Sequence, residues 1–136
     1  MKHIESNVFV YGSLKRGFAL HYLVAGQTFL GTAITKPLYH LFDCGRYPGI
    51  VKATNNSVAI NGVAINGELY CVDSQCLQQL HEVEGVDEGL YRYEIIELQA
   101  PFSKLQCRAY FYLLSTDKLS NCGCEWPVKM DEPNSL

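Results

Sequence analysis

At 136 residues the chain has the size of one domain, and 48% apolar against 18% charged residues is the balance of a packed core rather than of disorder. A net charge of −3, with 11 basic residues scattered and none in a run longer than Lys15-Arg16, leaves no field for nucleic acid. No stretch approaches the ~20 apolar residues of a membrane-spanning helix. Glu5, Ser6 and Asn7 interrupt what would be the apolar part of a secretion signal, so the cytoplasm, with its reduced thiols, is the expected location.

In chain order, Val8 to Tyr11 reads as a buried strand ended by Gly12. Phe18 to Val24 reads as a short helix. Leu38 to Asp43 is a second strand ended by Gly45, Tyr47-Pro48-Gly49 a turn, and Ile50-Val51 the apolar pair after it. Asn55-Asn56-Ser57 is a further turn, Val58 to Ile60 a short strand, and Asn61-Gly62 has the composition of a tight hairpin. Gly67 to Val72 is a strand. It leads into a helix over Gln75 to Glu84, which Asp73 or Ser74 can cap and Gly85 can end. Tyr91 to Leu98 and Cys107 to Leu114, separated by a proline-containing loop, read as antiparallel neighbours. The pattern predicts an α+β fold, a small strand-rich β-barrel with a few short helices. Residues 1–114 form the expected domain. Residues 115–136 form a tail that Trp126-Pro127 docks, with Asp131 to Leu136 fraying.

Most catalytic templates fail. The six cysteines include no CxxC, and Cys122-Gly123-Cys124 has no second pair at zinc spacing, so no metal is expected. Cys71 and Cys107 lie in apolar runs and read as core. His81-Glu82-Val83-Glu84-Gly85 begins like HExxH but puts glycine where the second histidine belongs. His81 then reads as a surface histidine. No GxSxG elbow occurs.

Two features remain. At ~100° per residue, Leu77, Leu80 and Glu84 share one helix face, flanked by Cys76 and Val83, while Glu82 points to water. A carboxylate among apolar groups loses hydration, its pKa rises, and it can exchange a proton near neutrality. The bland alternative is a solvated carboxylate at a helix end. The second feature is Tyr11-Gly12-Ser13-Leu14-Lys15-Arg16-Gly17, a glycine loop after a strand. Its N–H groups can cradle an anion or a developing oxyanion. Phe18-Ala19 stands where a phosphate loop needs Lys-Ser/Thr, so the loop does not read as a nucleotide site. A plain turn is the alternative.

Val8 to Gly17 closely resembles the N-terminal signature of the gamma-glutamylcyclotransferase-like superfamily, in its AIG2-like, gamma-glutamylamine cyclotransferase branch. Leu80 to Gly85, followed by Tyr91, resembles a second signature, and Gly45 to Gly49 and Gly67 to Tyr70 resemble further family segments in order. The resemblance spans roughly residues 7 to 114. It implies a cofactor-free reaction on a small-molecule γ-glutamyl substrate, whose α-amine attacks its own γ-carbonyl to release 5-oxoproline and an amine. It maps the general acid/base onto Glu84 and the substrate loop onto Tyr11, Gly12, Ser13 and Leu14, with Tyr91 as a further site residue. Two positions depart from the family pattern. His81 replaces a common Asp, and Tyr91-Arg92-Tyr93 replaces Tyr-x-Arg. Arg92 thus comes one place early, which on a strand turns it to the opposite face. A non-catalytic binding module on the same fold, and a thiol or metal protein using Cys122 and Cys124, are the competing readings.

Overall fold

The first strand sorts its side chains by parity, as an extended chain must. In β1 (Glu5–Val10), Val8 and Val10 go to one apolar cluster and Phe9 to another, and both clusters are buried. This computed structural model describes residues 5–55, 58–59 and 61–128. The remaining strands are β2 (Thr28–Ile34), β3 (Tyr39–Asp43), β4 (Pro48–Lys52), β5 (Thr54–Asn55), β6 (Val58–Ala59), β7 (Asn66–Asp73), β8 (Tyr91–Ile96), β9 (Cys107–Tyr112) and β10 (Ser120–Asn121). One α-helix, α1 (Ser74–Val83), follows β7 directly.

Among the described residues eight strands form one sheet in the order β10-β3-β4-β9-β1-β7-β2, with β8 also on β9, while β5 and β6 form a separate ribbon. The sheet curls into a half-barrel. One face gathers Phe9, Leu41, Ile50, Leu69, Ala109 and Phe111. The other gathers Val8, Val10, Tyr70, Val72 and Tyr110 under Cys76 and Leu80 of α1. Leu80 is fully buried, a contribution of about 1.5–3 kcal/mol.

The sheet forks at β9. β8 pairs antiparallel along all of β9 and occupies one edge. The other edge is shared: β1 pairs parallel with it at Arg108 and β4 at Phe111. The end of β1 and the start of β4 therefore diverge at the middle of β9. The phenol of Tyr11 spans the fork, donating to the Tyr110 carbonyl at 2.5 Å and accepting from the Ile50 N–H at 3.2 Å.

The main strands and the long helix form where the sequence predicts them, with ends shifted by up to three residues. Asp73 caps α1, its Oδ1 accepting from the Cys76 N–H at 2.8 Å, worth about 1 kcal/mol. Gly85, at φ +68°, ends the helix in the left-handed conformation that glycine adopts freely. Glu84 lies just past α1 as its cap rather than within it. Three expectations are corrected and one strand is added. Phe18 to Val24 makes successive i to i−3 turns with only His21–Leu23 helical, because its N–H groups reach three residues back instead of four. The turn predicted at Tyr47-Pro48-Gly49 lies earlier, closed by Cys44 N–H to Tyr47 O, so Pro48 opens β4. Val58–Ala59 pairs back to Thr54–Asn55 while Val63 bridges to Tyr39, so Asn61-Gly62 joins no hairpin. β2 was not predicted: its register shifts between Phe29 and Gly31, and that bulge erases alternation from an edge strand. Of the predicted turn Asn55-Asn56-Ser57 and strand Val58 to Ile60, residues 56, 57 and 60 lie outside the described residues, as does Asp131 to Leu136.

Beyond β9 the chain continues to contact the domain. β10 pairs with β3, Trp126 is buried against Phe18, and its carbonyl accepts from Lys15 Nζ at 2.7 Å. No helix among the described residues is long and apolar enough to cross a membrane.

Candidate active site

The fork leaves a crevice, and the loop after β1 runs into it. Gly12 is obligatory there: a Cβ would stand 2.4 Å from Pro48 Cδ at the start of β4. The carbonyls of the loop turn outward. Gly12 O accepts from Lys15 N–H, Ser13 O from Leu20 N–H and Leu14 O from the His21 ring. The Ser13 and Leu14 N–H groups have no main-chain acceptor among the described residues. Glu68 of β7 anchors the far side of the loop, accepting from the Arg16 N–H at 3.0 Å and pairing with its guanidinium at 3.6 Å.

Glu84 faces this loop. Its carboxylate lines a chamber of about 30 Å³ with Tyr11, Gly12, Ser13, Leu14 and Tyr91. All six residues singled out in the sequence thus meet in one place. The chamber widens into an outer one of about 310 Å³, which shares Ser13, Tyr47, Glu84 and Tyr91 and adds Ala19, Leu20, Arg46, Val83 and Leu90. Val83, expected on the flank of the buried face, is 46% exposed and lines this outer chamber instead.

Burial pushes the Glu84 carboxyl up to about 7, and no charge partner opposes the rise. The surrounding groups are phenols with committed hydroxyls. Tyr11 bonds at the fork and Tyr91 donates to the Pro48 carbonyl at 2.7 Å. The Tyr110 hydroxyl lies 2.8 Å from His81 Nδ1. Burial holds all three phenols well above their ordinary range, so they stay neutral beside the carboxylate. They shape the chamber, and Glu84 is the group in it that titrates near neutrality.

His81 is not a surface residue. It is half-buried, bonded to Tyr110, and packed edge-on to Tyr93 with ring centroids 4.9 Å apart. The two departures from the family signatures therefore touch: a histidine–tyrosine contact stands where the signatures carry an acid and an arginine. Arg92 is exposed on the other face of β8 and pairs with Glu94 at 3.2 Å, away from the chamber. Sequence reasoning missed Tyr47, Pro48 and Tyr110. The first two lie in the segment Gly45 to Gly49, already marked as family-like. Tyr110 has no local signal, because only the pairing of β9 brings it to the site. The six cysteines are free; Cys107 is buried, whereas Cys71 is partly exposed rather than core.

The family profile described as gamma-glutamyl cyclotransferase, AIG2-like, matches residues 8–127. A Vibrio cholerae protein, named provisionally as a gamma-glutamylcyclotransferase, is 38% identical over 97 residues, 71% of this chain and 74% of that protein. An Arabidopsis thaliana protein with the same provisional name is 37% identical over 97 residues, and the match spans 68% of this chain and about half, 51%, of that protein. The crystal structure of a mouse AIG2-like protein shares the fold, with a TM-score of 0.72 at 24% identity, covering 98% of this chain and 95% of that one. On the span of the profile and the identity to these relatives, the chain belongs to the gamma-glutamyl cyclotransferase, AIG2-like family.

Proposed function

We propose that the chain is a cyclotransferase that converts a γ-glutamyl amine or amide into 5-oxoproline and a free amine, with Glu84 as general acid/base. One observation supports this: a carboxyl raised to about 7 by burial shares a small chamber with Ser13 and Leu14, whose N–H groups have no main-chain acceptor among the described residues. The substrate's α-ammonium must lose a proton before it can attack, and Glu84 as carboxylate takes it. The amine nitrogen then bonds to the γ-carbonyl carbon, and the carbonyl oxygen becomes an oxyanion for the loop N–H groups to stabilise. Collapse breaks the bond to the leaving nitrogen, which receives the first proton from Glu84; the carboxylate so regenerated takes the second from the ring nitrogen and passes it to the freed amine. No water or cofactor is consumed. Of the three ammonium hydrogens one stays on the ring nitrogen and two leave on the amine as RNH3+. Holding the glutamyl chain bent, with amine against carbonyl, removes the entropy of ring closure from the barrier.

The test is 5-oxoproline release from γ-glutamyl amines and γ-glutamyl amino acids. Wild type should release it and Glu84→Gln should lose about 10²–10⁴-fold in kcat while keeping its circular dichroism. Equal release by both proteins would remove Glu84 from the mechanism.

A further inference from the structure

The inner chamber, at about 30 Å³, is far smaller than the outer one at about 310 Å³, so the outer one offers the room for a leaving amine. Glu84 lines both, as it must to reach the nitrogens on either side of the carbonyl. The outer walls are apolar on two sides, from Ala19 and Leu20 of the loop and from Val83 and Leu90 flanking Glu84. Its one fixed charge is Arg46, from the β3–β4 turn. That side chain is exposed and has no ion-pair partner among the described residues. Most arginines placed this way are solvated surface groups, but this one borders a chamber whose other ionisable wall is the Glu84 carboxyl, raised by burial.

Resting on the cyclotransferase reading, we propose that Arg46 selects the leaving group by charge. Amines that bear a carboxylate on an apolar frame are favoured over neutral alkylamines, and cationic diamines and polyamines are disfavoured. A guanidinium matches a carboxylate in a two-pronged geometry that a second ammonium cannot use. The cationic class also loses by repulsion, the element that specificity most often needs.

Three substrates of matched shape test this: γ-glutamyl-leucine, γ-glutamyl-isopentylamide, which is the same without the carboxylate, and the γ-glutamyl amide of 1,5-diaminopentane. Wild type should rank them in that order by kcat/KM. In Arg46→Ala the leucine-to-isopentyl ratio should fall about tenfold, and in Arg46→Glu the diamine should overtake leucine. An equal fall on all three substrates would overturn the proposal and give Arg46 the glutamyl α-carboxylate instead. A complete lack of turnover by wild type would count against the cyclotransferase reading. The selection then stands or falls on binding. Stabilisation of the Glu84→Gln protein by γ-glutamyl-leucine over isopentylamide, lost when Arg46→Ala is added, supports it, and equal stabilisation refutes it.

Discussion

Glu84 has one residue's worth of freedom that decides its chemistry: it sits just beyond the last turn of α1, where the backbone still follows the helix but the side chain leaves the helix surface for the chamber. On the proposed mechanism, its pKa of about 7 sets the acid limb of catalysis. kcat/KM should fall tenfold per pH unit below about 7, as the carboxylate that must accept the ammonium proton is lost. A limb near pH 4.5 would mean a solvated carboxyl and would sink the assignment. The same shift has a consequence for stability, with a definite sign. The folded carboxyl binds its proton more tightly than the unfolded one, whose pKa is the ordinary 4.5. Between pH 4.5 and about 7 the native state therefore holds more protons, and stability falls as pH rises through that window. The penalty reaches at most about 3 kcal/mol above pH 7. Glu84→Gln cannot ionise, so its melting temperature should exceed that of wild type at pH 8 and not at pH 4. A variant no more stable than wild type at pH 8 would show that the carboxyl is not desolvated. Helix phase put this residue on the apolar face, four after Leu80 and seven after Leu77, but left a solvated carboxylate open, and the family resemblance was needed to single it out. Its phenolic surroundings were not legible, because Tyr11 comes from the loop after β1, Tyr91 from β8 and Tyr110 from β9.

Among elements, the contact of α1 with β8 carries the substituted pair. The helix meets the strand through His81 and Tyr93, and burial pushes the imidazole below its ordinary value, which keeps it neutral against the rings. The single variant His81→Asp would set a carboxylate against an aromatic face, and Tyr93→Arg would set a guanidinium against imidazole. Both should destabilise, each by about 1–3 kcal/mol. The double variant restores the acid and arginine of the family signatures. It should be more stable than the sum of the singles by about 1 kcal/mol or more in urea unfolding, the coupling expected of touching residues. Additivity would mean the two sites are independent. Each departure was visible in the sequence, but their adjacency was not. One is on a helix and the other on a strand twelve positions later, and only the packing of α1 over the sheet joins them. Elements with clean periods, β1, β7 and α1, were readable for the same reason that β2 was not. A bulged edge strand with Phe29 and Leu30 both more than a third exposed has no period to read.

At the scale of the molecule, the site exists because β9 holds β1 and β4 on one edge and the loop between them must turn away. The tie from Tyr11 to Tyr110 crosses 99 positions, and no local pattern encodes a contact of that span. The segment after β9 acts on the same loop from behind. Trp126 packs on Phe18 at 5.7 Å between ring centroids, and Lys15 lies over Phe18 while its ammonium donates to the Trp126 carbonyl. Lys15 is one residue past Leu14, so a loosened Trp126 reaches the loop after β1 through a single peptide. Trp126→Ala removes a nearly buried indole and should cost about 3–5 kcal/mol in unfolding free energy. The main-chain acceptor for Lys15 survives that substitution, so the loop should not detach but sample wider positions. KM for a γ-glutamyl substrate should then rise several-fold even well below the melting temperature. The pH at which the acid limb bends should not move, because Glu84, Tyr91 and Tyr110 are on other elements and Tyr11, at the start of the loop, is held at the fork by its own two hydrogen bonds. Unchanged KM with lowered stability would leave Trp126 as a core residue only. A shifted acid limb would instead mean that the carboxyl-terminal segment reaches the chamber itself.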